Sequence, residues 1–165
     1  MNKTVSIIIS WFLVALTMII IFNFSAETAT ESTETSKGVV VQVLDIFMEK
    51  EEITPPVIAE YHLPIRKLAH FGIYMLLGFC MLNAFEKSFR IKLWQNSVYA
   101  VIMCSLYATT DELHQNFAEG RGPQITDVLI DSAGALLGSL IFVALLLLYQ
   151  KIIFVKLSKR NRLYN

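Results

Sequence analysis

Residues 5–24 read VSIIISWFLVALTMIIIFNF and carry no charged side chain. A helix needs about 20 mostly apolar residues to cross the hydrocarbon core of a bilayer. This stretch therefore makes lipid the expected solvent. Lys3 fits the basic start of a cleaved leader, but the apolar run exceeds the usual length of about 7–15 residues. The following NFSAET places Phe or Glu where a cleavage site needs small residues, so an uncleaved anchor is expected.

Working outward, three further stretches have span-like length: residues 67–85 (KLAHFGIYMLLGFCMLNAF), 93–110 (LWQNSVYAVIMCSLYATT) and 127–149, which ends in LLGSLIFVALLLLY. Composition agrees, with 55% hydrophobic and 17% charged residues, where a soluble domain carries about 25% charged. The expected fold is an all-α membrane protein. A single domain over 1–165 forms a four-transmembrane-helix bundle, with an extra amphipathic helix in the first outer loop. Cys80 and Cys104 fall inside apolar runs and suggest no disulfide framework. No basic cluster interleaved with aromatics appears, which argues against nucleic acid.

The formal net charge of zero hides an asymmetry. With four spans, both termini share a side. That side holds nine cations (Lys3, Lys87, Arg90, Lys92, Lys151, Lys156, Lys159, Arg160 and Arg162) and one acid, Glu86, a net +8. The other side holds five cations and thirteen acids, a net −8. Cations stay in the cytoplasm. Both termini are therefore expected there, with a basic tail over 150–165. Segments 25–66 and 111–126 are expected to face outward.

Within the first outer segment, SAETATESTETSK (25–37) lacks periodicity and reads as a flexible tether. In residues 38–52, Val39, Val43, Ile46, Phe47 and Lys50 recur at helical spacing, an amphipathic helix ended by Pro55 and Pro56. Ionisable residues at membrane depth are costly and mark candidate sites. Arg66, His70 and Tyr74 are spaced for one helical stripe. Asp111 and Glu112 stand where the helix dipole disfavours acids, so a cation or metal is needed nearby. His114, Gln115 and Asn116 follow. Arg121 sits in a Gly/Pro turn suited to gripping a carboxylate or phosphate. Thr126 reads as an N-cap with Asp127 in the first turn. Asp131, one turn deeper, points into the bundle. Gly134 and Gly138 form a close-packing GxxxG face.

The patterns RKLAHFGIYMLLG and DELHQNFAEGRGPQITDVLIDSAGALLGSL closely resemble the VanZ-like family of bacterial membrane proteins. The Ser-rich segment after the first span resembles it too. The resemblance carries over Arg66, His70, Tyr74, Asp111, Glu112, Gln115, Arg121, Asp127 and Gly134 as signature positions. Members often hold Asn where Asp131 stands. The family's name comes from a member linked to low-level teicoplanin resistance.

Three functions stay open. One is a modifier of a lipid-linked or cell-wall substrate, with His70, Asp111 and Glu112 catalytic and Arg66, Tyr74, Gln115, Arg121 and Asp127 binding. A divalent metal at His70, Asp111, Glu112 or His114 is a candidate cofactor there, though no standard metal motif is present. The second is an accessory protein that binds an envelope component or a glycopeptide antibiotic. The third is a structural protein whose polar cluster is an internal salt-bridge network. Oligomeric state is open, since GxxxG serves dimers and internal packing alike.

Overall fold

The computed structural model describes residues 2–115, 117, 122 and 124–162. Among these, five α-helices follow one another: α1 (Lys3–Ser25), α2 (Ala29–Leu44), α3 (Pro55–Ser88), α4 (Leu93–Gln115) and α5 (Ile125–Arg162). A 3-10 turn at Lys50–Glu52 precedes α3. The described chain is all-helical, as expected.

Three helices are long and apolar enough to cross a membrane: α1, α3 and α5 as far as Lys156. This corrects the expected count of four. α4 has the length, but Gln95, Asn96, Asp111, Glu112 and Gln115 dilute its composition. Many of those polar residues turn inward: Asn96, Asp111, Glu112 and Gln115 are all buried. Trp94, Ile102, Leu106 and Leu113 face out. α4 thus turns polar groups inward at both ends and the small apolar Ala100, Cys104 and Ala108 inward at its middle, with large apolar side chains toward the surroundings.

The segment read as a tether is helical. Thr28 accepts from the Glu31 amide while the Glu31 carboxylate accepts from the Thr28 amide and hydroxyl, a reciprocal capping box. Hydroxyls that compete with a helix in solution are satisfied inside it. Thr33 donates to the Ala29 carbonyl at 2.7 Å, and Ser36 donates to that of Ser32. The buried stripe is Ser32, Ser36, Val40 and Leu44, one position off the expected Val39–Val43 stripe. Ile46 and Phe47 lie beyond the helix end and are exposed. The amphipathic helix expected over 38–52 is therefore corrected to α2, which packs against α3.

Pro55 and Pro56 open α3. Proline in a first turn forfeits an amide that has no helical partner there. α3 therefore starts well before residue 67. Pro64 lies inside it and leaves the Glu60 carbonyl without its helical donor. The basic tail is likewise no separate segment: α5 runs through it to Arg162.

The core is where α3 meets α5. Gly134 and Gly138 of α5 lie directly against the α3 backbone at Phe71 and Met75, and Gly78 of α3 meets Ala135 in the same way. A Cβ at any of the three would collide with a carbonyl, so only glycine permits the approach. Tyr74, Leu77, Cys80, Cys104 and Ala108 fill the adjoining interior, where both cysteines are free thiols. At the end of the bundle remote from Arg66, Ser10 accepts from Asn83 (3.1 Å) and Lys87 (2.9 Å), and Trp11 donates to Ser88 (2.9 Å). Asn96 donates to Glu86 there.

Gly138→Leu is expected to destabilise the detergent-solubilised protein by about 3 kcal/mol or more, since overpacking against backbone cannot relax by rotamer change. Gly38→Ala, in the interior of α2 with open space around it, should instead gain about 0.5–1 kcal/mol. Thermal unfolding of both variants checks the pair. The bonds from Thr28 hold the Glu31 carboxyl below its ordinary pKa. A depressed pKa gives stability that is complete above the ordinary Glu value and fades as pH falls through the lowered one. The first turn of α2 should therefore keep its amide protection at neutral pH and lose part of it as pH falls below about 4, as hydrogen exchange would show.

Candidate functional site

Three helix ends meet at one end of the bundle. The Arg66–His70–Tyr74 stripe of α3 faces the last turns of α4 and the first turns of α5. The C-terminus of α1 closes the side, where the Ser25 hydroxyl donates to the Asp111 carbonyl at 3.4 Å. The short turn at residues 89–92 returns α4 alongside α3. The glycine contact sets the α3–α5 separation: Phe71, against Gly134, directly follows His70, and Asp131 lies three residues before Gly134.

That arrangement gathers His70, Asp111 and Asp131. One donor atom from each lies within 4.8 Å of the other two. His70 Nδ1 and Asp131 Oδ1 are 3.9 Å apart, too long for a hydrogen bond. Asp131 is 0% exposed, and neither of its carboxylate oxygens makes a hydrogen bond among the described residues. Gln115 donates to Asp111 Oδ2 at 3.4 Å and so orients that carboxylate. Tyr74 is fully buried beside the cluster with its hydroxyl unbonded, its ring 6.3 Å from that of Tyr107.

The other expected residues are placed differently. Glu112 is buried but turns to the start of α5, where its Oε2 accepts from the Gln124 amide at 2.7 Å. Thr126 does not cap α5, which begins at Ile125; its hydroxyl donates to Asp127 at 3.4 Å. Asp127 pairs with Lys67 at 3.2 Å. His114 packs its ring on Phe22, centroids 4.6 Å apart, and stays outside the cluster. Arg121 and Asn116 lie outside the described residues. Asp131 is the cluster member that the resemblance does not single out; its place one turn beyond Asp127, facing the bundle, is the signal for it in the sequence. Lys67 was assigned no role from the sequence.

Two cavities adjoin the cluster. One, about 370 Å³, lies between α1, α2 and α3; its wall is mostly apolar surface, from Ile21, Phe24, Val39, Ile65 and Ile73 among others, with Glu27, Ser32, Thr35 and Ser36 also on it. The other, about 170 Å³, is polar and is lined by Lys67, Gln115, Gln124, Asp127 and Asp131. Arg66 and His70 line both. Arg66 is half-buried and forms no ion pair among the described residues.

Of known protein families, the one described as VanZ/LLP1 matches this chain over residues 10–149. No curated protein and no solved structure matches it.

Glu112→Ala should leave the Gln124 amide without an acceptor and fray the first turn of α5. A hydrogen bond to a charged group contributes about 1.5–3 kcal/mol, so amide exchange over residues 124–128 should accelerate by roughly tenfold or more. Glu112→Gln, which keeps an acceptor, should show a smaller change.

Proposed function

The chain belongs to the VanZ/LLP1 family, and from that premise we propose an envelope membrane protein that holds an anionic, lipid-linked component at an outward-facing site. The observation that carries this reading is the sharing of Arg66 and His70 between an apolar and a polar cavity. An amphiphile fits that pair. Its chain lies among Ile21, Phe24 and Ile73, and its phosphate or carboxylate head meets the Arg66 guanidinium. A half-buried Arg with no ion pair among the described residues is well suited to a two-point grip on such a head. Arg121 is the second candidate cation.

The outward orientation rests on α4 crossing the bilayer as well, although α1, α3 and α5 alone among the described helices have the apolar composition of a span. In favour of this, α4 packs on all three along the bundle, and its outward face is apolar. Its buried polar residues meet protein rather than lipid, which is how polar groups are tolerated at depth. Both termini are then cytoplasmic, with the +8 charge on the inner face and the site on the acidic outer one.

In this reading His70 and Asp111 act on the head as acid and base or as binding groups. Binding a cell-wall precursor would account for a link to teicoplanin susceptibility. A second reading has its own support: the Lys67–Asp127 pair and the Glu112–Gln124 bond tie α3, α4 and α5 together, as an internal polar network would.

Susceptibility to teicoplanin in a host expressing the protein separates the two. Arg66→Ala, His70→Ala, Asp111→Ala and Arg121→Ala should each abolish protection while membrane levels stay normal. Disappearance of the protein itself in all four would favour the network. Full protection by all four at normal levels would sink the shared site. With purified protein, Arg66→Ala should weaken retention of a polyprenyl phosphate about tenfold, the loss of one charge-assisted contact.

A further inference from the structure

The cluster of His70, Asp111 and Asp131 has a property that ligand binding in the cavities does not explain. Two buried carboxylates face one imidazole, and no other cation pairs with either of them among the described residues. Even with His70 protonated, the three groups carry a net negative charge. An unbalanced carboxylate in a low-dielectric interior is strongly disfavoured. Asp131 makes the imbalance acute. It is 0% exposed, its two oxygens make no hydrogen bond among the described residues, and Oδ1 is aimed at His70 Nδ1 across 3.9 Å. A gap of that length between a carboxylate and a ring nitrogen is too wide for a direct bond and about right for an ion between them.

We propose that His70, Asp111 and Asp131 bind one divalent transition-metal ion. Each contributes one donor atom, and the three atoms lie within 4.8 Å of one another. Metal–ligand bonds of about 2.0–2.2 Å need donors roughly 3–4 Å apart, a contraction within reach of side-chain rotation. One imidazole with two carboxylates suits Zn²⁺ or Mn²⁺. Mg²⁺ and Ca²⁺ favour all-oxygen sets, and Cu⁺ favours sulfur. Three protein ligands leave coordination positions open, the pattern of a metal that meets an outside molecule. The polar cavity reaches both His70 and Asp131 and supplies access to that open side. Gln115 already holds Asp111, as second-layer groups hold metal ligands. Glu112 and His114 are not ligands of this site, since one is engaged by Gln124 and the other lies against Phe22. The site stands independently of which component the cavities hold, and with the ion bound His70 and Asp111 serve as its ligands rather than as an acid and a base.

Tag-free full-length protein, purified in detergent and stripped with a chelator, tests the assignment with Zn²⁺ and Mn²⁺ alone. Elemental analysis after gel filtration should find one metal per chain. Calorimetry should give an affinity that falls at least tenfold in His70→Ala, Asp111→Asn and Asp131→Asn. Asp131→Asn removes charge but little volume and so guards against misfolding. Its metal-free form should unfold at or above the wild-type temperature, because an unbalanced buried charge is gone. Added metal should raise the unfolding temperature of the wild type and leave this variant unmoved. No stoichiometric metal in the wild type would overturn the site, as would equal binding by all three variants. A metal-free Asp131→Asn less stable than wild type, with no response of either to metal, would make the cluster a plain ion pair and overturn it equally.

Discussion

The close approach of α3 and α5 governs the rest of this molecule. Helices in a bilayer gain nothing from excluding water between themselves, so they associate through tight packing and polar contacts. Here three glycines, Gly78, Gly134 and Gly138, remove the side chains that would keep the two backbones apart. The approach fixes more than stability. It brings the His70 turn of one helix against the Asp131 turn of the other, and α4 adds Asp111 from the side. A bundle held by larger residues at the same crossing would leave these groups too far apart to act on one ion or one head group.

Much of the architecture was legible because apolar length is a blunt signal. α1 and α5 were visible as long apolar runs, α3 as a weaker one broken by polar residues, and the GxxxG spacing announced the tight face. α4 was expected as a fourth span, but Asn96, Asp111, Glu112 and Gln115 serve neighbouring helices and lower its apolar average. α2 was misread for a different reason. A run of Ser, Thr and Glu is compositionally like a linker, yet the Thr28–Glu31 box and the burial of Ser32 and Ser36 against α3 override that bias. Such a helix depends on its partner, which no local pattern discloses.

The site shows the same division. His70 and Asp111 followed from the rule that charge at membrane depth needs a reason. Their third partner, Asp131, required knowing which face of α5 meets α3, and that is decided by Gly134 one turn further on. Glu112 and His114 are neighbours of Asp111 in sequence but leave the helix in other directions, toward Gln124 and Phe22. Proximity along the chain overstated their membership. Cavities, being spaces between elements, have no sequence signal at all.

The continuity of α5 has a mechanical consequence. From the glycine contact at Gly138, Asp131 lies roughly 10 Å away in one direction and Arg162 roughly 36 Å away in the other, at a rise of about 1.5 Å per residue. The helix is thus a lever of unequal arms with a backbone fulcrum. A tilt that parts His70 from Asp131 by about 1 Å would swing the far end by roughly 3–4 Å on this geometry. A rigid helix of these proportions would turn any tilt at the site into a displacement at its far end larger by the ratio of the two lengths.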